Sequence, residues 1–143
     1  MNELLTDDRY VHPIEVKDTD IDRQGHVNNV VYVRWVQDAA VAHWKYIIDA
    51  DLKALVDWVV FRHEIDYKKP VYRNDQIVIR TWIEEVTPVT TERFCEILRG
   101  NDLELVAKAR TVWCSIDLKS GRPKRIDPRV KEAFYRQRGN IPK

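Results

Sequence analysis

The chain has 143 residues, with 24 Lys and Arg against 23 Asp and Glu for a formal charge of +1. Hydrophobic residues are 44% and charged residues 33%, which excludes a disordered chain, and no apolar run approaches the length of a membrane span. The near-zero charge excludes a global field directed at nucleic acid, and the length suits a single domain over residues 1–143.

The opening "MNELLTDDRYVHPIEVK" lacks the basic start and apolar core of a signal peptide, so a cytoplasmic location is expected. Two cysteines, Cys95 and Cys114, are too few for a disulfide framework and sit in strand-like sequence, where reduced, buried thiols are expected. Charge is uneven along the chain. Residues 119–143 hold nine Lys and Arg against Asp127 and Glu132, a net of +7, which leaves −6 for the first 118.

"RYVHPIEVK" (9–17) alternates as a first strand, and a polar loop follows it. Asn28 or Asn29 is positioned to cap a helix in which Val33, Val36, Ala40, Trp44 and Ile47 recur at helical spacing to about Ala50. Beyond it the period changes to two, in 57–69, 75–86, 90–100 and 103–118. Pro70, Asn74, Pro88 and Gly100-Asn101-Asp102 mark the turns between them. Links this short predict antiparallel neighbours. "DPRVKEAFYRQR" predicts a short last helix, with Asp127 as cap and Pro128 at the first helical position.

One helix cannot cover both faces of such a sheet, so the sheet is expected to curl around it. Val78 and Trp82 point away from Ile77, Ile79 and Ile83, which predicts apolar residues on both faces and hence an oligomer. Arg62, His63, Arg80 and Arg93 read as exposed or cross-strand polar positions.

The polar loop reads "DTDIDRQGHVNN" from Asp18 to Asn29. Gly25 permits a tight turn, and the helix start just beyond it presents unpaired N–H groups and partial positive charge. Such donors stabilise an oxygen that gains negative charge in acyl transfer. Asp22, three residues before Gly25, could then attack an acyl carbon or activate water. The spacing equally allows Asp18, Asp20 and Asp22 to be turn-formers bonded to their own backbone. Other chemistries find no pattern. His12, His26, His43 and His63 lack the paired spacing of a zinc site, so no metal is expected. Neither cysteine lies in a nucleophile signature, and no serine elbow or phosphate-binding glycine loop occurs.

The segment "DTDIDRQGHVNNVVYVRWVQDAA", followed in order by "FRHEIDYKKPVYRNDQIVIRTWIEEV" and "LVAKARTVWCSIDLKSGRP", resembles the 4-hydroxybenzoyl-CoA thioesterase-like branch of the hotdog-fold acyl-CoA thioesterases over about residues 9–126. The resemblance implies an α+β hotdog fold: a curved five-stranded antiparallel sheet around one long helix, with a short C-terminal helix added. It also implies two protomers joined edge to edge, as a homodimer or homotetramer, and thioester hydrolysis at their interface without a cofactor. By the same resemblance, Asp22 matches the catalytic carboxylate and the backbone N–H near Asn29 matches the donor that polarises the carbonyl. Gly25, His26 and Asn28 match the surrounding motif, and Tyr32 matches an aromatic helix position near the acyl pocket.

This chain departs from the pattern at two places. Where members often carry Glu on the helix followed by Ala-Arg, it has Gln37, Asp38, Ala39 and Ala40. Where the turn between the third and fourth strands often supplies cations for CoA phosphates, it has the neutral Thr87-Pro88-Val89. Phosphate contacts are therefore expected from Lys68, Lys69, Arg73, or the tail residues Lys124 and Arg125. The expected activity is hydrolysis of an acyl-CoA to a carboxylic acid and CoA, with neither nucleic acid nor membrane as partner. Two alternatives remain: a thioesterase acting on acyl carrier protein, and a non-catalytic acyl-CoA-binding module. Tyr32, Trp35, Trp44, Trp58 and Phe61 are the aromatic candidates for an acyl pocket, which leaves fatty and aromatic acids both open.

Overall fold

The computed structural model describes residues 9–100 and 102–137. Five strands, β1 (Tyr10–Glu15), β2 (Asp57–Tyr67), β3 (Gln76–Val86), β4 (Thr90–Arg99) and β5 (Glu104–Ile116), form one sheet in the order β1-β3-β4-β5-β2. Every neighbouring pair is antiparallel. Helix α1 (Asn29–Ile47) lies on one face, the four-residue α2 (Ala50–Lys53) follows it, and α3 (Pro128–Gln137) closes the far end. The period-two segments became the strands with ends trimmed by at most two residues.

Alternation decides which side chains meet α1. Ile77, Ile79, Ile97, Ala107 and Ala109 of the sheet join Tyr32, Trp35, Val36 and Ala39 of the helix in one buried cluster. Small residues at Ala39, Ala107 and Ala109 let the helix approach the strands, and each large apolar side chain removed from water stabilises by roughly 1.5–3 kcal/mol. A second cluster at the C-terminal end of α1 is built from Val56, Ile83, Val86, Ile126, Val130 and Phe134. Register shifts at Val60/Arg62, Ile83/Glu85 and Ile97/Leu98 are bulges, which add twist and let the sheet curve around the helix. The buried face of α1 centres on Tyr32, Trp35, Val36, Ala39, Ala40 and His43, so the stripe expected through Val33 is rotated by about a residue.

The opposite face of the sheet mixes apolar and charged residues. Val78 and Trp82 do point away from α1, yet that face is dominated by ion pairs. Arg80 donates to Glu96 at 2.8 Å, and Arg110 donates to Glu64 at 2.7 Å and also to Glu92. Trp82 stacks on Phe94, and the Arg9 guanidinium lies 3.8 Å from the centre of its ring. Cross-strand charges satisfy one another there, so this face does not require a partner to hide it. Both cysteines are buried free thiols, as expected. Among the described residues no helix is long and apolar enough to cross a membrane.

Candidate active site

The polar loop is held at three points. Asp20 is only 1% exposed. Its carboxylate accepts from the Lys17 N–H at 2.9 Å and from Arg34 Nη2 at 2.8 Å, and its carbonyl accepts from the Asn28 N–H at 2.8 Å. Burial pushes the Asp20 carboxyl upward, but the Lys17 and Arg34 hydrogen bonds and the Arg34 charge outweigh it and hold the group below its ordinary value. Asp20 therefore ties the loop to α1 as an anion. Next comes a turn closed by the Gly25 N–H on the Asp22 carbonyl at 3.1 Å, with Gly25 at φ 86°. This is left-handed backbone, the reason a glycine stands there. Finally the Val27 N–H donates to the Val71 carbonyl at 2.8 Å, joining the loop to the β2–β3 link.

Asp22 fills the turn-forming role that its spacing allowed. Its Oδ1 accepts from the Gln24 N–H at 2.9 Å and the His26 N–H at 3.2 Å, which is turn chemistry. Its Oδ2 has no hydrogen-bond partner among the described residues. The turn thus aims the carboxylate and leaves one oxygen available.

Asn28 caps α1, its Oδ1 accepting from the Val30 N–H at 3.1 Å, while its carbonyl takes the Val31 N–H at 2.9 Å. The Asn29 N–H is left with no partner among the described residues, at the positive end of a 19-residue helix. Asp22, His26, Asn28, Asn29 and Tyr32 line one cleft of about 340 Å³ with Tyr67 and Lys68. Lys69 is on its wall too. A free carboxylate oxygen and a free helix-start N–H facing one cleft form the pair that hydrolytic acyl transfer needs.

Tyr67 was not singled out from sequence. Its hydroxyl donates to the Asn29 carbonyl at 3.1 Å, and its ring meets Tyr32 edge-on at 5.0 Å, so it braces the first turn of α1 from the sheet. The only signal was its place on the inward alternation with Ile65. Tyr32 is 2% exposed, and burial, with Tyr67 adding, pushes its hydroxyl up to about 12. It serves as a neutral wall. The His26 ring packs edge-on against Tyr72 at 5.1 Å.

The cations divide. The Lys68 ammonium has no partner among the described residues, whereas Lys69 pairs with Glu104 and Arg73 pairs with Asp18 outside the cleft lining. Lys124 and Arg125 lie elsewhere. The Lys124 N–H bonds the Ser115 carbonyl near the end of β5, which pairs with the start of β2. The cleft sits past the other end of that 11-residue strand, roughly 30 Å away at 3.3 Å per residue. Asp38 is exposed on α1 and does not line the cleft.

Two further readings are corrected. Phe61 is 62% exposed, and it lines neither the Asp22 cleft nor the cavity beside Trp44 and Trp58. Arg93 bonds Thr81 across strands but is not an exposed position: it is 3% exposed, on the face of β4 that meets α1, and it also bonds His43 from that helix. Alternation showed that Arg93 shared a face with Cys95 and Ile97, but an arginine gave no reason to assign that face to the core. Among the described residues no three His, Cys, Asp or Glu gather as a metal-holding group.

Comparison with known proteins identifies the family and the fold. A family model described as the thioesterase-like superfamily matches residues 16–134. No curated protein sequence matches the chain. Among solved structures, a thioesterase from Thermus thermophilus complexed with coenzyme A and Zn superposes with TM-score 0.81 at 22% identity, covering 92% of this chain and 96% of that one. A DHNA-CoA thioesterase from Staphylococcus aureus gives 0.80 at 21% identity, with 90% of each chain covered. A 1,4-dihydroxy-2-naphthoyl-CoA thioesterase from Synechocystis gives 0.78 at 16% identity, over 87% of this chain and 94% of that one. The fold is the hotdog fold these proteins share.

Proposed function

Since the chain belongs to the thioesterase-like superfamily, we propose that it hydrolyses an acyl-CoA thioester to a free carboxylic acid and CoA, with Asp22 and the Asn29 N–H as its catalytic groups. The observation that carries this reading is the free Asp22 Oδ2 on the same cleft as the unpaired Asn29 N–H. The thioester carbonyl oxygen accepts from Asn29, where the helix dipole favours the charge that builds up on it. Asp22 takes a proton from water as the water oxygen bonds the acyl carbon; the C–S bond then breaks and the thiol leaves with a proton. In the nucleophilic variant Asp22 itself bonds the acyl carbon, the C–S bond breaks and the thiolate leaves and takes a proton from water, and a second water cleaves the resulting anhydride to the free acid and the Asp22 carboxylate. Gly25, His26 and Asn28 shape the loop, and Tyr32 forms the acyl wall.

Lys68 is the cation available to CoA phosphates, with Lys69 and Arg73 in reach if they exchange their carboxylate partners. The long outer edge of β2 supports a homodimer, or a homotetramer of two such dimers. In an antiparallel pairing of two β2 edges, the start of one strand lies beside the end of the other. Lys124 and Arg125 of a second copy would then come toward the Lys68 side of the cleft.

A free-thiol release assay over short, long and aromatic acyl-CoAs tests the reading. Turnover on at least one CoA thioester is expected. Turnover only on acyl carrier protein thioesters would move the substrate to that class, and binding without release would make the protein a non-catalytic module.

A further inference from the structure

A second cavity holds a buried cation with no counter-ion among the described residues. Arg93 Nη1 donates to Thr81 Oγ1 at 2.9 Å and meets His43 Nδ1 at 2.9 Å. Both are neutral partners, because burial, with the Arg93 charge adding, holds His43 down to about 3. Burial also lowers Arg93, only to about 10, so it remains a cation at neutral pH. No carboxylate pairs with it among the described residues.

What is left unpaired is all donor. Arg93 Nε is buried without a partner, as is the Trp113 indole N–H. With Nη1 engaged, the unpartnered Nε shares the opposite edge of the guanidinium with Nη2, the fork that matches the two oxygens of a carboxylate. A charged donor left buried and unpaired loses its hydration without a replacement. An acceptor with negative charge supplies one.

Arg93 and Trp113 line a cavity of about 60 Å³ whose other walls include Ala40, Trp44, Trp58 and Phe134. It lies near Trp44, 15 residues along α1 from Asn29, or roughly 22 Å at 1.5 Å per residue, so it is not the Asp22 cleft. The volume takes only a few heavy atoms, and the aromatic walls favour an apolar body. An inorganic oxyanion would leave its remaining oxygens against indole and phenyl rings.

We propose that this aromatic cage with Arg93 in its wall is a binding site for a short-chain monocarboxylate, separate from the Asp22 cleft of the same chain. The carboxylate takes the Nε/Nη2 edge of Arg93, and the alkyl group packs among Trp44, Trp58 and Phe134.

Propionate titration of the full chain, followed by calorimetry and tryptophan fluorescence at constant chloride-adjusted ionic strength, tests this. Saturable propionate binding is expected, with propionamide and 1-propanol at least tenfold weaker. Arg93→Met, which keeps the volume and removes the charge, should weaken propionate at least tenfold. Ala40→Val, whose two extra carbons occupy the cavity while Arg93 stays, should do the same and decides the matter if the first variant does not fold. The proposal is overturned by an absent or non-saturable response in the wild type, by equal binding of propionamide, by displacement with stoichiometric chloride, or by undiminished binding in either folded variant.

Discussion

Replacing Asp22 with Asn separates the two jobs of that carboxylate. The amide retains an oxygen where Oδ1 accepts from the Gln24 and His26 N–H groups, so the turn keeps its bonds, while the free oxygen loses its charge and basicity. General-base catalysis contributes about 10²- to 10⁴-fold, or about 2.7–5.5 kcal/mol of barrier. Thiol release by Asp22→Asn should therefore fall at least about a hundredfold with the melting temperature unchanged. Asp22→Ala removes both accepted bonds as well, worth about 0.5–1.5 kcal/mol each at most. At this turn the lower half of that range applies, a loss of roughly 3–7 °C in a domain of this size. Stopped thiol-release assays paired with thermal unfolding of the same preparations check both quantities. A folded Asp22→Asn protein with wild-type turnover refutes the catalytic role, and equal melting of the Asn and Ala variants refutes the turn role.

Gly25→Ala should lower stability by about 1–2 kcal/mol through its left-handed φ alone, since an added Cβ meets nothing within 4 Å; urea unfolding checks this, and an unchanged midpoint contradicts it. His43 is held down to about 3 from an ordinary 6.5, so unfolding takes up a proton below pH 6.5. Its contribution to stability is complete above that pH and is lost as pH falls toward about 3, by about 1.4 kcal/mol per pH unit. His43→Gln, which still offers Arg93 an acceptor, should flatten stability between pH 7 and 5, and parallel curves would rule the linkage out. Phe61→Lys, on the outer edge strand, should weaken self-association at least tenfold by sedimentation velocity. A fully active wild-type monomer would end the edge-to-edge model.

The sequence by itself determined what depends on near neighbours. The five strands follow from period-two alternation, α1 from its apolar stripe and the Asn28 cap, and the Asp22–Gly25 turn from a carboxylate three residues before a glycine that reaches φ 86°. Even the unpaired N–H at Asn29 was legible, because every helix start leaves donors over. Tertiary structure decided what depends on which faces meet. Alternation shows that Trp82 opposes Ile83 but not that ion pairs would cover the Trp82 side, nor that Arg93 would be shut against His43. Tyr67 is braced on Asn29 across 38 residues, and Lys124 is parted from the cleft by the length of β2. Both follow from strand order, β1-β3-β4-β5-β2, which is settled by the joint burial of all five strands against one helix and not by any local run of residues.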